Sequence, residues 1–325
     1  MTICYSDPGY ESGEGVYAMS FYHKPVMLQE AVRLMNIQDN GVYLDGTLGG
    51  GGHSEAILHS GARLLYGIDR DPAAIRAAGV RLAAYPGFTA IHGNFHDAKA
   101  LLQARGVTRL DGAILDLGVS SHQLDTPERG FSYHGEAPLD MRMDPDQGET
   151  AARFLARADE KTLTKVFLEY GEEAWASRIA KIIVERRAVS PLLTTADLVA
   201  AVDKAIPAAI RRKSAAHPAR RVFQAIRIAV NDELAPLAQA IEDIMSLVCQ
   251  GGRVIVITFH SLEDRIVKNV FRTMQNPCIC PPKAPLCVCG RKPIGKVLGL
   301  WKPREDEVAM NPRSAGAKLR AAEHI

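Results

Sequence analysis

Three carboxylates, a glycine run and four cysteines are the residues whose types and spacing could do chemistry. Asp45-Gly-Thr-Leu-Gly-Gly-Gly-Gly-His53-Ser follows the short apolar run Val42–Asp45 and opens a helix near Ser54. A strand that ends in glycines at a helix start lets a ligand approach the backbone closely, beside the positive helix N-terminus. Asp69 closes the next apolar run, Leu64–Asp69, where a carboxylate accepts both ribose hydroxyls of a nucleotide-like ligand. Asp116 stands at the end of a further run, Gly112–Leu117, followed by Ser120 and Ser121. Carboxyl ends of strands are the ligand-binding edge of open α/β sheets. The dinucleotide fingerprint G-x-G-x-x-G fits no register through Gly46–Gly52, which disfavours a nicotinamide-dependent oxidoreductase. The phosphate-loop near miss, Gly290 to Lys296, ends in Val297 and follows no strand. S-adenosylmethionine remains: it carries no phosphate and needs a glycine turn, a ribose carboxylate and an apolar slot for adenine.

The elements that must position these residues alternate. Strand signals at Val42–Asp45, Leu64–Asp69, Phe88–Ile91 and Gly112–Leu117 are separated by helix signals. Among the latter are Ala73–Ala84, with Asp71 as N-cap and Pro72 in its first turn, and Ala98–Ala104. Short alternating connections predict a parallel sheet covered on both faces. The alternation then stops until Arg253–Phe259. The interval reads as helix: Trp175, Ile179, Ile182 and Ile183 form one stripe, and a long pattern from Val222 to Val248 is expected to end at Gly251–Gly252. The expected organisation is a flexible extension over 1–22 and a discontinuous domain over 23–124 and 221–325. A helical, substrate-recognising insertion over 125–220 lies between its two parts, and an irregular Pro- and Cys-rich loop spans 277–293.

Lys and Arg total 39 against 37 Asp and Glu, a net charge of +2 over 325 residues, so attraction to nucleic acid must come from a local patch. Arg211, Arg212, Lys213, Arg220, Arg221 and Arg227 supply six positive charges within seventeen residues and no acid, and Arg186 and Arg187 lie in the same region. Phosphate contact is the natural use of such a patch, a solvated face the ordinary one. No apolar run reaches the roughly 18 residues of a membrane span, and residues 1–22 lack a secretory h-region, so a cytoplasmic protein is expected. Cys278-x-Cys280 and Cys287-x-Cys289 have the look of a metal knuckle, but C-x-C is tighter than most zinc-ligand pairs. Reduced thiols in a loop are the expectation, zinc the lesser alternative, and no metal is assigned.

Several longer motifs occur in one order: His23-x-Pro-Val, Asp-Gly-Thr-Leu-Gly-x-Gly-Gly-His, Asp69-Arg-Asp-Pro, Asp116-Leu-Gly-Val-Ser-Ser, Gln123-Leu-Asp and Glu128-Arg-Gly-Phe-Ser. Pro138-Leu-Asp-Met-Arg-Met, His217-Pro-Ala-x-Arg, Phe259-His-Ser-Leu-Glu-Asp-Arg and Asn311-Pro-Arg follow. Over about residues 23–320 the chain resembles the bacterial ribosomal RNA small-subunit methyltransferase H (MraW) family. The resemblance implies a class I, Rossmann-like methyltransferase with an inserted helical domain, methylating N4 of a cytidine in the decoding centre of 16S rRNA. It implies that Gly51, Gly52 and His53 line the cofactor site, Asp69 takes the ribose, Phe95 sits by adenine, and Asp116 and Gln123 complete the pocket. Asp116 is the candidate catalytic carboxylate. His53 is expected to make a backbone contact rather than act as a base. Arg211, Arg212, Lys213, Arg220 and Arg221 are the candidate RNA contacts, and the partner is 16S rRNA within the small subunit, with a homodimer open. Other amino methyltransferases stack the base on an aromatic after Asp116; here Leu117-Gly-Val stands there, leaving Phe131 and Tyr133 as candidates. Ser261 and Asp264 resemble a helix capping box, with His260 as a structural histidine. Ala315 and Gly316 replace an expected Arg and Ser, which removes one basic contact from the tail. The rivals are an assembly factor without turnover and a methyltransferase for another nucleic-acid site.

Overall fold

The computed structural model describes residues 25–213, 217–281 and 286–325. The expected extension over 1–22, and His23, lie outside them. Seven strands form one sheet: β1 (Val42–Asp45), β2 (Leu64–Asp69), β3 (Phe88–His92), β4 (Leu110–Asp116), β5 (Val248–Thr258), β6 (Gly295–Trp301) and β7 (Lys318–His324). Their order is β3-β2-β1-β4-β5-β7-β6, with β7 antiparallel to both neighbours and the other strands mutually parallel. This is the class I, Rossmann-like sheet. The order reverses between β1 and β4, and a crevice opens at their carboxyl ends.

Both faces are covered, as alternating residues require. Tyr43, Leu65, Ile114, Ile255 and Leu319 face α1 (Leu28–Met35), α2 (Gly52–His59) and α3 (Pro72–Arg81). Leu44, Ile68, Leu115, Val254 and Val256 face α4 (Ala98–Gln103), α12 (Leu237–Leu247) and α13 (Ser261–Gln275). Asp71 caps α3 as expected, its Oδ1 accepting the Ala73 amide at 2.9 Å.

Between α5 (Ser121–Asp125) and α12 the chain builds a helical layer with its own core. It comprises α6 (Ala151–Arg157), α7 (Glu160–Glu169), α8 (Ala176–Arg187), α9 (Thr195–Ala205), α10 (Ala208–Lys213) and α11 (Arg220–Asn231). Phe154, Phe167, Ile179, Ile183, Leu198 and Val202 pack together with Val222, Phe223 and Ile226 of α11. The return to the sheet therefore follows Asn231, some ten residues later than the sequence boundary at 220.

The pattern from Val222 to Val248 is two helices rather than one. Asp232 adopts a left-handed φ of 48° that ends α11, and α12 restarts after Pro236. Gly251 and Gly252 lie inside β5 rather than capping a helix. Asp264, read as a capping partner, instead binds Lys318 Nζ at 2.8 Å and Arg320 Nε at 2.7 Å of β7. Among the described residues no helix is long and apolar enough to cross a membrane.

Candidate active site

At the switch point a cleft of about 1080 Å³ runs between the strand ends and the helical layer. Its floor is the loop from β1 to α2. The buried Asp45 carboxylate accepts the Ser54 hydroxyl at 2.7 Å and the Thr47 amide at 3.1 Å. Burial, only partly offset by those bonds, raises its pKa to about 6. A Cβ on Gly46 would meet the Leu115 side chain at 2.4 Å, so only glycine lets the loop cross β4. Gly51 is the N-cap of α2 at φ 78° and faces Ala78 and Leu82 of α3, whereas Gly52 lines the cleft. Asp69 holds the loop from the β2 side, accepting the Gly49 amide at 2.7 Å and the Asp71 amide at 2.9 Å. Burial raises its pKa, and the residue lines the cleft.

Asp116 ends β4 in the same cleft. Its amide donates to Thr47 Oγ1 at 2.6 Å. Its Oδ1 is buried and has no hydrogen-bond partner among the described residues, and its Oδ2 lies 3.8 Å from His53 Nδ1. Burial, reinforced by the negative charges of Asp45, Glu263 and Glu307, lifts its pKa well above the carboxylate range. His53 cannot offset this. Burial lowers its pKa to about 4, so the ring is neutral near pH 7, and Nε2 makes the expected backbone contact, 3.1 Å from the Val26 carbonyl.

A second buried pair stands opposite. Glu263, not Asp264, completes the capping box of α13, and His260, not Ser261, is the N-cap. The helix starts one residue earlier than the sequence suggested because Glu263 Oε2 accepts the Phe259 amide at 2.9 Å. Burial pushes Glu263 up, but the His260 contact and the charge of Arg227 outweigh it and hold it ionised. Arg227, read as part of the RNA patch, is buried in a two-bond pair with Glu233, both contacts at 2.8 Å. It belongs to the cleft wall instead. Glu233, Glu263 and Arg129 were not singled out from sequence; a Glu three residues beyond an N-cap was the signal available for Glu263.

Gln123 lines the cleft, but its amide is engaged: it closes a capping box with Ser120 and donates to Asp71 Oδ2 at 3.0 Å. Arg129 binds the same oxygen at 2.6 Å. Phe95 lies half-buried in the lining, its ring edge-on to His96 at 4.4 Å. Phe131 is buried in the helical core and reaches the cleft, while the half-buried Tyr133 stacks on His217 with centroids 4.7 Å apart. Asn231 joins the two walls. Its side chain binds the Met143 amide at 2.7 Å, the Met141 carbonyl at 2.7 Å and the Arg227 carbonyl at 2.9 Å. Its own carbonyl accepts from Arg70, next to Asp69, at 3.0 Å.

The basic residues divide. Arg212 and Lys213 of α10 and Arg220 and Arg221 of α11 are exposed, and Arg220 lines the cleft mouth. Arg211 pairs with Asp203 at 3.2 Å, and Arg221 binds the Glu172 carbonyl at 3.1 Å. Arg186 pairs with Asp197, and Arg187 caps the Leu155 and Ala158 carbonyls, so both serve the helical layer itself. Ala315 and Gly316 line the cleft beside Arg313, which pairs with Asp125 at 2.9 Å. The four-cysteine segment lies outside the cleft, between α13 and β6.

Residues 20–325 match the model of the MraW methylase family. The ribosomal RNA small subunit methyltransferase H of Heliobacterium modesticaldum is 49% identical over 314 residues, covering 94% of this chain and all of that protein. That of Carboxydothermus hydrogenoformans is 47% identical over 310 residues, covering 94% and 99%. Solved structures overlay more loosely: an rRNA methylase from Streptococcus thermophilus gives a TM-score of 0.40 at 11% identity, covering 94% of this chain and 98% of that one.

Proposed function

Because this chain belongs to the MraW methylase family, we propose that it methylates small-subunit ribosomal RNA with S-adenosylmethionine, at N4 of a cytidine in the decoding centre of 16S rRNA. The observation that carries the reading is Asp116 Oδ1, a buried carboxylate oxygen at the end of β4, inside the cleft, with no partner among the described residues. An unpaired buried acceptor of this kind is costly, and a ligand N–H relieves it.

The residues present fit the cofactor. Asp69 offers free lone pairs for ribose hydroxyls, Phe95 an apolar face for adenine, and the Gly49–Gly52 turn close backbone approach. Gln123 serves by fixing Asp71 and the Ser120 turn. The cofactor supplies a methyl group on a cationic sulfonium.

The acceptor amine sets the demand on the protein. Its lone pair is delocalised into the cytosine ring, so it is a weak nucleophile. Accepting its N–H at Asp116 Oδ1 favours localisation of the pair on nitrogen. As the bond to the amine nitrogen formed, the methyl–sulfur bond would break, the neutral thioether would leave, and the amine proton would pass to Asp116 Oδ1. Isolated in the cleft, Asp116 leans to its neutral form; a cation beside it reverses that bias and readies the carboxylate for the proton. Positioning supplies most of the rate. The amine lies on a base edge, so the nucleotide must be unpaired or turned out of its stack. Tyr133, backed by His217 in the cleft lining, is the aromatic assigned to receive it. The exposed Arg212, Lys213, Arg220 and Arg221 hold the phosphates.

Purified protein, labelled S-adenosylmethionine and small subunits lacking the modification test this directly. N4-methylcytidine in the decoding centre, lost in Asp116→Ala, is the expected result. Cofactor binding without any methylated cytidine would move the chain to an assembly role or another nucleic-acid target.

A further inference from the structure

The connection from α13 to β6 has no regular secondary structure where described, from Asn276 to Cys280 and on from Leu286 to Ile294. It exceeds the roughly 12–15 residues beyond which an unstructured loop in a compact fold calls for an explanation. Nor do its described residues form an apolar core of their own. Ile279, Leu286 and Val288 are 66%, 77% and 87% exposed. Yet its four sulfurs converge. Cys278 Sγ lies 3.5 Å from Cys287 Sγ, which lies 3.9 Å from Cys280 and 3.5 Å from Cys289; Cys289 lies 3.8 Å from Cys278. All four fall within 4.8 Å of one another.

Those spacings discriminate between the uses of four thiols. A tetrahedral tetrathiolate with Zn–S near 2.3 Å has edges of about 3.8 Å. Two disulfides would instead bring sulfurs into pairs at about 2.05 Å. Here Cys287 is shared among three neighbours, as a central ion requires and a pairwise bond does not. A backbone amide also turns toward sulfur: Val288 N–H donates to Cys280 Sγ at 3.3 Å. Amide donors around thiolates are the outer shell that metal cysteines use. The neck beneath is closed, with Ile294 N–H on the Met274 carbonyl at 3.0 Å and Val297 N–H on Gln275 Oε1 at 2.7 Å. The tight C-x-C spacing that argued against a metal from sequence is thus no obstacle to forming the cage.

We propose that Cys278, Cys280, Cys287 and Cys289 bind one structural zinc ion that ties the α13–β6 connection together. With four protein ligands the site is closed, so it takes no part in methyl transfer. Its contribution is to fold the loop, since metal binding to residues ordered only in the folded state adds to stability.

The test uses the full-length chain, purified without added metal under reducing conditions. Elemental analysis is expected to find one zinc per chain, and Cys280→Ser/Cys287→Ser to have lost it. Cys249→Ser, whose thiol lies elsewhere, is expected to keep it. Cobalt added after chelation should give the intense visible bands of a tetrahedral tetrathiolate in wild type and not in the double variant, a readout independent of activity. Three results would overturn the proposal. One is zinc at trace level with no cobalt bands. A second is one iron per chain in place of zinc. The last is zinc retained by the double variant, which would place the ion elsewhere, such as at Glu233, His260 and Glu263.

Discussion

The Thr47 hydroxyl accepts the amide hydrogen of Asp116 at 2.6 Å, so the glycine loop after β1 and the carboxylate end of β4 are held by one side chain. Thr47→Val keeps the shape and removes the acceptor. Leaving that amide unsatisfied costs about 1–3 kcal/mol. A lowered melting temperature together with weaker cofactor binding is expected. Unchanged values for both would show that the loop and strand hold their places without it.

Asp45 and His53 place opposite demands on pH. Burial lifts Asp45 from 3.8 to about 6, so the native state keeps a proton that the unfolded chain has released. The stability this contributes is complete below about pH 4 and is lost as pH rises through about 6. Burial lowers His53 from 6.5 to about 4, so its unfolded form takes up the proton first and stability rises with pH across that interval. Asp45→Asn removes the first slope alone. Relative to wild type it should gain about 2 kcal/mol between pH 4 and 6.5, read by urea unfolding at a series of pH values. A variant whose difference from wild type stays constant with pH would show that Asp45 does not titrate there.

Arg212 and Lys213 are expected to act through charge alone. Replacing both with Ala should weaken binding to small subunits without altering the methylated nucleotide. The slope of log affinity against log salt should fall by about one for each phosphate that is no longer neutralised. An unchanged slope would return the α10 patch to a solvated surface.

Arg227 should behave otherwise. Arg227→Met strands the buried Glu233 carboxylate, and breaking such a pair from one side costs about 3–5 kcal/mol. The loss is expected in denaturant unfolding, and Arg227→Met/Glu233→Leu should recover much of it. If the single variant is as stable as wild type, the pair is not closed in solution.

Much of the fold was legible in the sequence because the signals are local. The strand ends at Asp45, Asp69 and Asp116 and the cap at Asp71 are written in short apolar runs followed by glycine, proline or aspartate. Strands β6 and β7 were not, because Lys296, Lys318, Arg320 and Glu323 interrupt their apolar pattern, and the Asp264 partner of Lys318 and Arg320 sits far away in sequence on α13. The break at Asp232 was hidden by an apolar period that happens to continue in step across Pro236. In the site, position was readable and engagement was not. Nothing in the motif containing Gln123 says that Asp71 already uses its amide, or that the guanidinium of Arg227 points inward. The cysteine spacing gave ligand types, but only the folded neck shows the sulfurs facing one another.

Asn231 has a mechanical consequence. Through its side chain it grips the Met141–Met143 segment and the last turn of α11; through its carbonyl it is gripped by Arg70, the residue after Asp69. The β2 end of the cleft and the helical layer therefore share one rivet. Force applied at either side is transmitted to the other rather than absorbed by a loose linker. A ligand on one side that shifts this rivet would change affinity on the other, and the second ligand would then return the same factor to the first.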